Sequence, residues 1–144
     1  MRLREPFTFF VDRSFGGRVV VGKLSAAGYA VERHDSHFAQ DEVDTAWIGV
    51  CGERQWVILS KDGRIRSNQL ELEALLASGT AAFLLGRGHL TGEQMGDVLI
   101  RAMPRILRAL RRFDVPTIAS ITLTGGVSML WVGGKRLKQP KVLK

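Results

Sequence analysis

Hydrophobic residues recur along the chain in two alternating spacings, and this alternation predicts strands that are followed by helices. Short apolar, aromatic and β-branched runs predict strands at 7–11, 29–34, 56–60, 80–85, 117–123 and 127–132. Apolar residues at helical spacing predict helices over 14–27, from 44 onward, over 70–79 and over 91–113. Strands that alternate with helices favour right-handed βαβ units and a largely parallel sheet.

The predicted fold class is therefore a three-layer α/β/α sandwich with a mainly parallel central sheet. Thr-Gly-Gly separates the last two predicted strands, which indicates a C-terminal β-hairpin at the sheet edge. A chain of 144 residues is long enough for one core, so residues 1–134 are predicted to form a single domain. The basic segment 135–144 is predicted to be a flexible tail.

Local signals place the ends of the helices. Ser14 is the predicted amino-terminal cap of the first helix, which would leave the carboxylate of Asp12 free for another purpose. Gly28 and Gly79 are predicted helix stops. Thr91 and Gln94 have the spacing of a capping box, and Pro104 predicts a kink in the helix that follows.

Charge is distributed unevenly between the two parts of the chain. Residues 1–85 carry a balance of −1 and residues 86–144 a balance of +8, which favours an anionic partner. For the tail, an ordinary solvated basic segment is an equally good interpretation. No apolar run approaches the roughly 18 residues of a membrane span, so a cytoplasmic protein without a membrane partner is expected. Cys51, the single cysteine, is interpreted as a core residue.

Three acidic residues are predicted to converge at one edge of the sheet. Asp12 follows the first strand, Asp62 follows the third, and Asp44 opens the helix that leads into the third. In open α/β sheets the functional crevice lies at the carboxyl ends of the strands. Close carboxylates repel each other unless a cation is present, so convergence favours Mg²⁺ or Mn²⁺.

Each of these acids also has a purely structural interpretation. Asp12 and Asp44 are suited to capping helices, and Asp62 is suited to an Asp-Gly turn. The hypothesis of a metal site therefore depends on the three residues lying together.

The segments "FFVDRSFGG" and "DTAWIGVCGERQWVILSKDGRIR", with the order of elements, resemble PIN domains, in particular those of VapC-type toxins. The resemblance implies a metal-dependent endoribonuclease that cleaves single-stranded RNA and leaves a 5′-phosphate. It implies that Asp12, Asp44 and Asp62 are catalytic and hold the metal, with Ser60 orienting Asp62 or a metal-bound water. It also implies the toxin of a toxin–antitoxin pair, neutralised by a protein antitoxin.

The chain departs from the pattern of that family at two places. The usual fourth acid has no counterpart, and Asp41 or Glu42 are the candidates to replace it. Many members carry a second acid just after the last aspartate, where this chain has Arg64. The number of metal ions therefore stays open, as does catalysis itself.

Basic residues beside the predicted pocket are candidates to bind RNA. Lys61, Arg64 and Arg66 could bind phosphate or offset the acidic cluster, and Arg13 is a weaker candidate. Two other functions remain open: a catalytically weak nucleic-acid-binding module, and a phosphatase or phosphotransfer domain. A phosphatase of the haloacid type would need an aspartate at position 14, where this chain has serine. A homodimer and a monomer fit the sequence equally.

Overall fold

The chain forms a single seven-stranded sheet in the computed structural model, which describes residues 1–61, 66–86 and 88–144. The strands are β1 (Thr8–Val11), β2 (Ala30–Arg33), β3 (Val57–Lys61), β4 (Ala81–Leu85), β5 (Thr117–Ile121), β6 (Val127–Val132) and β7 (Lys135–Leu143). Their order across the sheet is β2-β1-β3-β4-β5-β6-β7. The first five run parallel, and β6 and β7 are antiparallel. The predicted α/β class with a mainly parallel sheet is confirmed.

Helices cover both faces of this sheet. The α-helices within the described residues are α1 (Val19–Ala26), α2 (Asp44–Arg54), α3 (Gln69–Ser78) and α4 (Gly92–Arg112). Helices α1 and α4 pack together on one face, and α2 and α3 pack together on the other. Single turns of 3-10 helix, Arg13–Phe15 and His34–Ser36, follow β1 and β2.

Alternating side chains of the central strands fill two separate cores. Phe9 and Leu59 face α1 and α4, whereas Phe10 and Ile58 face α2 and α3. The Phe10 ring stacks on the Trp47 ring of α2, with 5.3 Å between their centroids. Asp12 and Ser60 continue this alternation two residues beyond Phe10 and Ile58, so both are placed toward α2.

The first helix begins later than the sequence predicts. Gly16 has a φ of 79°, which is outside the helical region, and it ends the 3-10 turn before α1 starts at Val19. Ser14 therefore does not cap a long helix, and the prediction that Asp12 is left free is wrong. The capping box of Thr91 and Gln94 is confirmed, and Pro104 lies inside the continuous helix α4.

Residues 135–143, predicted to belong to a flexible tail, form strand β7 instead. This strand pairs with β6 and buries Leu143. The hydrophobic pattern does not reveal it because most of its side chains are exposed, as is common on an edge strand. The predicted hairpin of β5 and β6 is present, but β7 rather than β6 is the sheet edge.

None of the helices in the described parts of the chain is both long and apolar enough to cross a bilayer.

Candidate functional site

The strand order places a crevice between β1 and β3. Strand β1 has β2 on one side and β3 on the other, so the connections that follow β1 and β2 lead to opposite sides of it. Ligand sites of parallel α/β sheets lie at such a reversal, outside the carboxyl ends of the strands. Asp12 directly follows β1 and Ser60 lies near the end of β3, so the crevice begins with these two residues.

Asp12 is buried, with 6% of its surface exposed, and two serines hold its carboxylate. Oδ1 accepts hydrogen bonds from the backbone N–H of Ser14, at 2.8 Å, and from its hydroxyl. Oδ2 accepts a hydrogen bond from the Ser60 hydroxyl. The Ser14 hydroxyl also accepts one from the backbone N–H of Lys61, at 3.1 Å. These bonds tie the turn after β1 to the end of β3 and fix the orientation of the carboxylate.

Burial raises the pKa of Asp12, and the hydrogen bonds from Ser14 and Ser60 lower it only in part. The negative charge of Asp44 raises the pKa further. Among the described residues, no lysine or arginine forms an ion pair with Asp12. A buried carboxylate with a second acid nearby and no cationic side chain as partner is suited to a metal ion.

Asp44 is the first residue of α2, as the sequence predicts, but Val43 and not Asp44 is the cap residue. Its Oδ1 accepts hydrogen bonds from Arg13 Nη2, at 3.0 Å, and from the indole Nε1 of Trp47, at 2.8 Å. Arg13 also donates to the backbone carbonyl of Gln40. Arg13, predicted to bind RNA, therefore connects the turn after β1 to the start of α2.

The structure locates some of the other predicted site residues. Asp62 and Arg64 lie outside the described residues, so the triad of Asp12, Asp44 and Asp62 stays a prediction. Asp41 is exposed and Glu42 is partly exposed in the segment before α2. Across 1–61, 66–86 and 88–144, no three His, Cys, Asp or Glu residues are grouped closely enough to hold a metal ion.

Lys61, Arg66 and Cys51 are the remaining residues that the sequence singled out. Lys61 ends β3 and is partly buried, and Arg66 is exposed just before α3. Cys51 lies on the buried face of α2. Burial raises the pKa of its thiol, so the thiol stays neutral. The interpretation of Cys51 as a core residue is therefore supported.

The sequence did not predict that Ser14 bonds directly to Asp12 or that His34, at the end of β2, lies beside it. A small depression beside Asp12 is lined by Arg13, His34 and Asp35 as well. The imidazole of His34 is buried beside Phe10 and Trp47, and within the described parts of the chain neither ring nitrogen has a hydrogen-bond partner. Its position at the end of β2 is the one sequence signal that could have identified it.

Comparison with known proteins agrees with this arrangement. A family model described as "PIN like domain" matches residues 7–87, which include β1 to β4, Asp12, Asp44 and Ser60. The chain belongs to this PIN-like domain family.

A relative in Mycobacterium tuberculosis (strain ATCC 25618 / H37Rv) is named "Putative ribonuclease VapC45". The two proteins are 33% identical over 116 residues, which cover 78% of this chain and 83% of the relative. No solved structure gives a significant match.

Proposed function

We propose that the protein is a metal-dependent endoribonuclease of the PIN type that cleaves single-stranded RNA. The observation that carries the proposal is the buried Asp12 carboxylate at the carboxyl ends of β1 and β3, next to Asp44 and without a cationic side chain as partner in the described residues. The similarity to a relative named as a ribonuclease supports the same activity.

Asp12, Asp44 and Asp62 would hold Mg²⁺ or Mn²⁺, which when bound polarises a phosphate oxygen and lowers the pKa of a water molecule. The hydroxyls of Ser14 and Ser60 keep the Asp12 carboxylate in one orientation. Arg13 and Trp47 do the same for Asp44 through the hydrogen bonds to its Oδ1. The chain's own contribution is thus to fix two acidic ligands before the cation and the RNA bind.

The metal requirement can be tested with purified protein and an end-labelled single-stranded RNA. We expect cleavage with Mg²⁺ or Mn²⁺, no cleavage with EDTA, and products that carry a 5′-phosphate. Because the divalent ion neutralises the acidic cluster and activates water, a monovalent salt at equal ionic strength is not expected to replace it. Cleavage that continues in EDTA would contradict the proposal.

A catalytically weak RNA-binding module is the second candidate. It is favoured by the ion pair of Asp44 with Arg13, which engages one of the proposed ligands. This function predicts RNA binding that is salt-sensitive and independent of divalent metal, without cleavage at any metal concentration. RNA cleavage with divalent metal and with EDTA therefore separates the two candidates.

The resemblance to VapC-type toxins also supports a role as the toxin of a toxin–antitoxin pair in the cytoplasm. The expected partner is a protein that blocks the crevice at Asp12. A reading frame adjacent to this one should encode it. Co-expression of that partner should relieve growth inhibition caused by this protein, and an inhibition that no neighbouring gene relieves would argue against the pairing.

A further inference from the structure

A groove of about 680 Å³ lies on the α2/α3 face of the sheet, between the start of α3 and strands β6 and β7. Its volume is in the range of small-molecule sites. Arg66, Leu72, Trp131, Arg136 and Lys138 are among the residues that line it. We name this site the β7 groove.

The β7 groove is basic. Arg66, Arg136 and Lys138 line it, and none of the described residues that line it is acidic. Arg136 and Lys138 are exposed, lie two residues apart on β7, and both line the groove. Within the described parts of the chain, neither of these two side chains forms an ion pair. Two cations of the groove are therefore available to an anionic ligand.

An aromatic ring lies beside these cations. Trp131 on β6 is directly opposite Arg136 on β7, and its side chain is half-buried. Among the described residues, no other aromatic ring stacks on it, in contrast to Trp47 and Trp56, which both stack on Phe10. Sites for single-stranded nucleic acid combine an aromatic platform for a base with cations for the backbone. An acidic peptide would use the cations but has no base to stack on the indole, so the observations favour RNA.

The β7 groove and the Asp12 carboxylate are placed on the same face of the sheet. Both lie on the face of the sheet that carries α2 and α3. Arg66, at one end of the groove, is four residues after Asp62 in the chain. Strand spacings of about 4.8 Å place β6 and β7 roughly 14 to 19 Å from β3, a distance that a few nucleotides of extended RNA can span. One RNA strand could therefore occupy both places.

We infer that the β7 groove is a subsite for the RNA substrate, in which Trp131 stacks on a base and Arg136 and Lys138 bind backbone phosphates. This inference rests on the proposed ribonuclease function, because it assumes that single-stranded RNA is the substrate. It assigns a substrate-binding function to strand β7.

Binding can be measured separately from cleavage by using Asp12→Asn protein in EDTA, with a fluorescein-labelled single-stranded RNA and anisotropy as the readout. Arg136→Ala/Lys138→Ala should weaken binding about 10- to 100-fold and reduce the slope of log affinity against log salt by about 1.4, since each phosphate contact with a single strand contributes about 0.7. The matched control is Arg108→Ala/Arg112→Ala, which removes two exposed cations from a second basic cleft, on the opposite face. The control should change affinity less than about threefold, and equal losses in the two variants would overturn the inference.

Stacking of a base on Trp131 can be measured by tryptophan fluorescence. The protein contains three tryptophans, so single substitutions show which of them RNA quenches. RNA should quench part of the indole fluorescence, and Trp131→Phe should remove most of that quenching while Trp56→Phe preserves it. Quenching that is unchanged in Trp131→Phe would overturn the proposed platform. A polyglutamate peptide of matched charge should compete only weakly, and displacement of RNA as efficient as by unlabelled RNA would overturn the preference for RNA.

The outcomes also separate this inference from the proposed function. If wild-type protein cleaves RNA but Arg136→Ala/Lys138→Ala binds it normally, the β7 groove is not a subsite and the ribonuclease proposal stands. If no metal supports cleavage but the variant loses binding as expected, the ribonuclease proposal is wrong and the groove remains an RNA-binding site.

Discussion

At the scale of single residues, the site is dominated by the cost of burying one charge. Asp12 accepts three hydrogen bonds from Ser14 and Ser60, yet burial still raises its pKa. Buried carboxylates that lack a cation are destabilising, and a bound metal ion would reverse the effect. Asp12 is therefore expected to lower the stability of the metal-free protein and to support binding of a cation.

The effect of Asp12 on stability should depend on pH. With a pKa above 3.8 in the folded state, Asp12 binds more protons when folded than when unfolded, so its contribution to the unfolding free energy falls as pH rises from about 4. In EDTA at pH 7, Asp12→Asn should therefore have a higher unfolding free energy than wild type. The difference should vanish near pH 3, and urea unfolding at several pH values measures it.

The control for this prediction is Asp97→Asn, which changes an exposed acid that pairs with Lys23 on the α1/α4 face. Asp97→Asn should show no comparable increase in the unfolding free energy at pH 7. A lower stability of Asp12→Asn at neutral pH without metal would contradict the account of Asp12 as a costly buried charge.

Ser60 should tune the pH dependence of cleavage through its hydrogen bond to Asp12. That bond lowers the pKa of Asp12, so Ser60→Ala should raise the pKa and move the acidic limb of the rate profile to higher pH. Ser128→Ala on β6 is the control and should leave the profile in place. A rate loss that is equal at all pH values would indicate a merely structural role for Ser60.

The positions of Asp12 and Asp44 could be predicted from sequence because strand ends and helix starts follow from hydrophobic spacing. Ser14 contacts Asp12 from only two residues away, in the turn after β1. The other two partners were not predictable, because the contacts of Arg13 with Asp44 and of Ser60 with Asp12 span 31 and 48 residues and leave no local pattern.

At the scale of elements, the close approach of α2 and α3 positions the helix that carries Asp44. A Cβ atom at Gly52 would lie 2.8 Å from the Ser78 Cβ at the end of α3, so the two helices meet where no side chain fits. The contact between Gly52 and Ser78 was not predictable, because nothing in the sequence shows which residue packs against a glycine within a helix.

Gly52→Ala should therefore push α2 away from α3 and destabilise the protein by about 1 to 3 kcal/mol, the usual cost of overpacking. Cleavage activity should fall as well, because α2 holds Asp44. Gly49→Ala in the same helix is the matched control: nothing lies within 4 Å of the added Cβ, and alanine favours helix by up to about 1 kcal/mol. Thermal unfolding of both variants gives the comparison, and equal stability of the two would contradict the proposed contact.

The strands and helices were largely predictable because most have a buried stripe or face, and the capping box of α4 is a local signal. Strand β7 was missed because its backbone pairing with β6, rather than its side chains, defines it. The start of α1 was misplaced because the positive φ of Gly16 is a property of the turn and not of the composition.

At the scale of the whole molecule, the acidic crevice and the basic strand β7 lie in different parts of the sheet. The crevice of Asp12 lies near one edge, between β1 and β3, and the cations of β7 lie at the other edge. The cations of β7, which are part of the excess charge of residues 86–144, therefore lie at a distance from the acidic site, where they can attract a polyanion without neutralising the carboxylates.

Removing residues 135–144 should test whether β7 belongs to the folded unit. Because the truncation exposes the β6 edge and removes the buried Leu143, we expect a loss of at least about 2 kcal/mol in the unfolding free energy. The control is the full-length Arg136→Ala/Lys138→Ala variant, which should unfold as wild type does. An unchanged midpoint after truncation would show that the segment is a tail.

The most direct test of the central claim is the rate of RNA cleavage by wild type and Asp12→Asn at saturating Mg²⁺, with Asp97→Asn as the control and circular dichroism to verify folding. We predict that Asp12→Asn loses cleavage by at least about 100-fold while it remains folded, because the amide is a much weaker ligand than the carboxylate. Asp97→Asn should retain the wild-type rate. Cleavage by folded Asp12→Asn at the wild-type rate would contradict the assignment of the site.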